Sequence, residues 1–99
     1  MVKEINTNNF DDEIKEGKVL VDMFATWCGP CRMLSPIVDE ISEEQKDIKV
    51  FKLDVDESPE IAERYNVQSI PTLLIFENGD LKNISVGYVP KQKILDLLK

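Results

Sequence analysis

The chain has 99 residues, enough for one domain around one core and too few for two. Apolar residues make up 42% of it, enough burial to offset chain entropy, which excludes global disorder. There are 12 basic residues against 19 acidic ones, a net charge of -7; such a surface repels phosphate backbones and anionic lipid, so neither nucleic acid nor a membrane is expected as a partner.

Lys3–Ile5 fits a short edge strand. Thr7 is a helix N-cap residue, and Phe10 and Ile14 share a face before Gly17 stops that helix. Val19 to Ala25 is apolar on both alternating faces except at Asp22, the pattern of a central strand covered on both sides. Cys31 to Gln45 reads as a helix with the stripe Leu34, Ile37, Val38 and Ile41, and Pro36 inside it predicts a kink. Ile48 to Val55 is the next strand. Ser58-Pro59 pairs an N-cap residue with a proline at the first helical position, and Ile61 and Tyr65 lie on one face of the short helix that follows. Thr72 to Glu77 and Leu81 to Val86 are strands joined across Asn78-Gly79, a strong hairpin signal. Pro90 to Leu98 closes the chain as a helix with Ile94, Leu95 and Leu98 inward.

The order β-α-β-α-β-α-β-β-α predicts a single α/β domain over residues 1–99. Alternating strands and helices require parallel pairing with right-handed crossovers, and the final hairpin adds antiparallel strands. The expected architecture is a mixed five-stranded sheet flanked by four helices.

No apolar run is long enough to span a bilayer, and the first ten residues hold neither an apolar signal core nor an Arg-rich transit segment. The protein is therefore expected to stay in the cytoplasm. A static disulfide is not expected in that reducing compartment. Two cysteines and no histidine cannot supply the four ligands of a usual structural zinc site within one chain, so no metal is expected. The acidic run Asp54, Asp56 and Glu57 reads as a solvated loop before a capped helix.

The cysteines stand in Trp27-Cys28-Gly29-Pro30-Cys31, directly after a central strand and at the start of a helix. A thiolate, not a thiol, attacks a disulfide. The first N–H groups of a helix are unpaired and its dipole is positive there, so Cys28 is placed where its thiolate is favoured. Cys31, three residues on, can reach Cys28 and is expected deeper and less exposed. Cys28 is then the attacking residue and Cys31 the resolving one, in a redox-active Cys28–Cys31 disulfide. Gly29 is expected to allow a tight turn and Pro30 to stiffen the first helical turn. Asp22, the only charge in a strand covered on both faces, is expected to have a raised pKa, and near the dithiol such a carboxyl could take a proton; the alternative is an aspartate at a strand edge that reaches solvent. Lys52 is the one charge on its face of the next strand, and either pairs with Asp22 or snorkels outward.

The run Val21-Asp22-Met23-Phe24-Ala25-Thr26-Trp27-Cys28-Gly29-Pro30-Cys31 resembles the active-site block of the thioredoxin family. Ser35-Pro36, Lys52-Leu53-Asp54-Val55-Asp56, Ile70-Pro71-Thr72 and the segment around Gly87 are similar to its later motifs, in order. Met23, Phe24, Arg32 and Tyr88 depart from the residues most frequent at their positions, and none of these changes removes a reacting group. The resemblance implies the thioredoxin fold and a general protein-disulfide reductase that cycles between dithiol and internal disulfide. It implies that Asp22 accepts the proton of Cys31, and that a cis peptide bond before Pro71 sets the Ile70 backbone beside the dithiol. Trp27, Ile70, Pro71 and Gly87 would then form the surface where target proteins dock. It also implies a monomer with no further cofactor, recycled by a thioredoxin reductase. Two other readings use the same residues: a redox-independent protein-binding module, and a zinc ion shared by the cysteines of two chains.

Overall fold

A computed structural model describes residues 2–99; Met1, where the predicted domain 1–99 begins, lies outside the described residues. The elements follow the expected order: β1 (Lys3–Ile5), α1 (Phe10–Ile14), β2 (Lys18–Phe24), α2 (Gly29–Glu44), β3 (Lys49–Asp54), α3 (Pro59–Arg64), β4 (Thr72–Glu77), β5 (Asp80–Val86) and α4 (Lys91–Leu97). The strands lie in the order β1-β3-β2-β4-β5. β1 and β2 run parallel to β3, while β4 is antiparallel to β2 and β5 is antiparallel to β4. The radius of gyration is 12.0 Å, close to the ~13 Å of a single domain this long.

Side chains on a strand alternate between the two faces of the sheet, so β2 divides its residues between two cores. Val19, Val21 and Met23 pack with Phe10 and Ile14 of α1 and Ile61 of α3. Leu20 packs with Leu34, Val38 and Ile41 of α2 and Ile94 of α4. By the same alternation Asp22 belongs to the α2 face, under the helix that carries Cys31. On the other face Phe10, Tyr65 and Phe76 form an aromatic trio with ring centroids 5.4 to 5.7 Å apart. Asn78 (φ 51°) and Gly79 (φ 87°) both adopt the left-handed backbone that a two-residue primed hairpin turn needs.

Three local expectations are corrected. Thr7 does not cap α1: Asn9 holds the cap position, and Asn6 closes the preceding turn through its side chain. Thr7 instead donates its N–H to Ser58 Oγ and its hydroxyl to Glu60, which ties the start of α1 to the start of α3. Ser58 sits at the cap of α3 with its hydroxyl engaged by Thr7, and that side chain makes no capping hydrogen bond into the helix. The second helix begins at Gly29, two residues before the expected start, because Pro30 lies in the first turn, where a missing N–H loses no intrahelical bond. That helix continues through Pro36 to Glu44.

Candidate active site

β2, the central strand of the sheet, ends at Phe24 and delivers the chain to the N-terminus of α2. Cys28 is the N-cap of α2, with an extended backbone (φ -92°, ψ 112°), and its Sγ accepts the Cys31 N–H at 3.2 Å. The sulfur therefore occupies the position of a capping oxygen and takes up an otherwise orphaned helix N–H. Cys28 and Cys31 form a disulfide with a Cα–Cα distance of 5.3 Å. On the far side of the pair, the carbonyl oxygen of Ile70 lies 3.8 Å from Cys28 Sγ. The Ile70–Pro71 peptide bond is cis.

The two sulfurs do not differ in exposure as the sequence suggested: Cys28 and Cys31 are each 4% exposed. In the closed state each sulfur covers the other, and Ala25, Phe24, Val55 and Ile70 pack around both. What separates them is their surroundings. Cys28 faces the helix N-terminus and the Ile70 carbonyl. Cys31 lines a cavity of about 240 Å³ together with Asp22, Arg32, Ser35 and Lys52.

Asp22 is 5% exposed, and its Oδ1 is buried without a hydrogen-bond partner among the described residues. Burial pushes the carboxyl up from 3.8 to about 7; the positive charge of Lys52 opposes this rise, and Asp39 adds to it. Lys52 stands beside Asp22 in the parallel register of β2 and β3. It lines the same cavity, and its ammonium lies 5.8 Å from the centre of the Phe24 ring. No ion pair joins Lys52 to Asp22 among the described residues; its charge acts on the carboxyl across the cavity that both line.

Trp27 is 67% exposed, and its Nε1–H donates to Asp56 Oδ2 at 2.8 Å. Asp56 in turn donates its N–H to Asp54 Oδ1 at 2.9 Å, and Asp54 is only 7% exposed. The acidic run is therefore not simply a solvated loop; it buttresses the tryptophan next to the dithiol. Arg32 reaches back to the Thr26 carbonyl at 3.0 Å and fastens the other side of the same loop. Asp56 and Arg32 were missed as site residues because their partners are set by the fold; the one sequence signal was an aspartate two positions past a strand.

Trp27 and Ile70 line one groove beside the pair. Gly87 lies outside that groove but adjoins Pro71, donating its N–H to the Pro71 carbonyl at 2.7 Å. Its φ of 88° accounts for the glycine, with open space where a Cβ would stand. Gly29 differs from expectation: its φ is not in the left-handed region, and a Cβ there would meet nothing within 4 Å. Neither turn geometry nor crowding requires glycine at that position. Its lack of a side chain leaves the space next to Cys28 open.

Comparison with known proteins agrees with this geometry. The family model described as Thioredoxin matches residues 1–99. A thioredoxin of Listeria monocytogenes is 48% identical over 99 residues, spanning 99% of this chain and 96% of that protein. One from Bacillus subtilis is 45% identical over 91 residues, covering 91% and 88%. One from Rickettsia felis is 44% identical over 99 residues, covering 97% and 94%. A solved structure, from work on the thiol-resolving mechanism of a yeast mitochondrial 1-Cys peroxiredoxin via glutathione and thioredoxin systems, superposes with a TM-score of 0.90 at 30% identity, covering 98% of this chain and 92% of that one. The fold, the Trp-Cys-Gly-Pro-Cys run and these relatives together establish that the chain belongs to the thioredoxin family.

Proposed function

We infer that the chain is a general protein-disulfide reductase, working as one domain over residues 1–99. The observation that carries this reading is the Cys28–Cys31 pair at the N-terminus of α2, with Cys28 Sγ as the helix cap. In the reduced protein the Cys28 thiolate attacks one sulfur of a target disulfide, and the other target sulfur leaves as a thiolate. Cys31 gives up its proton and attacks Cys28 Sγ. The internal disulfide forms, the second target sulfur departs, and two electrons have passed to the target.

Asp22 is the base in the resolving step. It shares a cavity with Cys31, and a carboxyl group at about 7 can take a proton near neutral pH and lose it again. Lys52 limits the rise and keeps part of the Asp22 population ionised. Trp27, Ile70, Pro71 and Gly87 form the docking surface, where an extended target segment pairs with the Ile70 backbone like an added strand. Gly29 and Pro30 tune the pair, one by placing no side chain next to Cys28 and the other by stiffening the helix start.

In the cell the chain acts as a cytoplasmic monomer in electron transport and redox homeostasis, and the Cys28–Cys31 disulfide is its only redox group. A thioredoxin reductase returns it to the dithiol. None of the described helices is long and apolar enough to cross a membrane.

The test is reduction of an accessible protein disulfide by the reduced chain. Cys28→Ser is expected to abolish it, and Cys31→Ser to accumulate a mixed disulfide through Cys28. Full turnover with Cys28→Ser, or no trapped species with Cys31→Ser, would overturn the assignment.

A further inference from the structure

We propose that the groove beside Trp27 selects target segments that place a lysine or arginine close to the reacting disulfide. The inference rests on the reductase reading and names the substrate class of that same site.

The groove encloses about 360 Å³. Its wall is largely apolar, built from Trp27, Val55, Ala62, Val67 and Ile70, and Glu63 is the only ionisable residue lining it among those described. A second negative charge stands beside it, since the Asp56 carboxylate accepts the Trp27 Nε1–H at 2.8 Å. That bond orients the indole and holds the charge next to it. The cation on α3, Arg64, is engaged elsewhere: its Nη1 donates to Asp11 at 2.7 Å, its guanidinium lies over Phe10 and Tyr65, and it is not among the groove's lining residues. Two cations, Arg32 and Lys52, line the Asp22 cavity with Cys31, and this cavity shares no residue with the groove. Charge is thus divided across the active site, negative on the Trp27 side and positive on the Asp22 side.

A lysine or arginine side chain fits this combination. Its methylene stem covers apolar wall while its head stays at the wet, acidic rim. The exposed face of Trp27 adds a cation–π contact. A target glutamate in the same place would face Glu63 and Asp56 with no compensating cation. The step selected is the disulfide exchange already described, and no further reactant is needed.

The test uses three disulfide-linked peptides that differ only in the residue next to the reacting cysteine, lysine, glutamine or glutamate. The reduced chain is expected to reduce the lysine peptide fastest and the glutamate peptide slowest, with the gap narrowing as salt is raised. Glu63→Gln is expected to lower the lysine-to-glutamate ratio of kcat/KM about threefold, the scale of one unit charge at roughly 7 Å in a solvent-like, screened medium, acting with opposite sign on the two peptides. Glu16→Gln makes the same change in net charge on an exposed residue next to Gly17, which bonds to the hairpin at Asn78. It is expected to leave the ratio unaltered. Equal rates for the three peptides, or an equal fall in the ratio with Glu16→Gln, would overturn the groove as the source of selection. Failure to reduce any of the peptides would instead overturn the reductase reading, and this inference with it.

Discussion

Replacing Asp22 with asparagine should stabilise the protein, and do so only above acid pH. In the native fold the carboxyl titrates at about 7 rather than 3.8, because burial penalises the charged form. The native state therefore keeps a proton that the unfolded chain loses. The stability tied to this group is fully present below pH 3.8 and is lost as the pH rises to about 7. A gap of about three pH units, at about 1.4 kcal/mol each, makes that loss about 4 kcal/mol. Asp22→Asn presents a neutral side chain of nearly the same shape at every pH. Urea unfolding of the oxidised proteins at pH 4, 6, 7.5 and 9 is the assay. The two are expected to agree within about 1 kcal/mol at pH 4 and to diverge to about 4 kcal/mol in favour of the variant at pH 9. A constant difference across this range would refute the argument, since it would mean that the native carboxyl ionises as readily as the unfolded one. If Asp22 is the base proposed for the resolving step, the same variant should also resolve mixed disulfides more slowly above neutrality.

Lys52→Gln removes the positive charge that holds the Asp22 rise in check, so the Asp22 titration followed by NMR should move above about 7; a downward move would contradict that influence. Phe76→Ala removes a fully buried ring that packs against Phe10 and the partly buried Tyr65, and should cost about 3–5 kcal/mol in chemical unfolding; a loss under about 1 kcal/mol would show that the trio is not packed as described. Gly87→Ala, at φ 88°, should destabilise by about 1–2 kcal/mol, whereas Gly29→Ala should not. Equal effects in the same unfolding assay would refute that contrast.

The sequence carried the topology well because its signals were periodic. Val19 to Phe24 alternates between two cores, and the Asn78-Gly79 turn needs its two positive φ values. Asp22 was legible for the same reason, as one charge in an otherwise apolar strand. Helix ends were less legible, because they depend on which partner reaches a polar group first. Thr7 is chemically able to cap α1, yet it bonds instead to Ser58 and Glu60, more than 50 residues away. The Trp27–Asp56 bond joins two loops that only the β2–β3 register brings together. The equal burial of Cys28 and Cys31 depends on the closed disulfide and its packing, which spacing along one helix does not convey. The chemical asymmetry of the pair survives that correction, because it lies in what each sulfur faces.

The most direct measurement is alkylation of the reduced protein as a function of pH, with the modified cysteine identified by peptide mapping. A sulfur that caps α2 should form its thiolate below the ordinary thiol value of about 8.5, so Cys28 is expected to react first and to remain reactive at pH 7. Cys31 reacting first, or both cysteines reacting only as the pH nears about 8.5, would contradict the account.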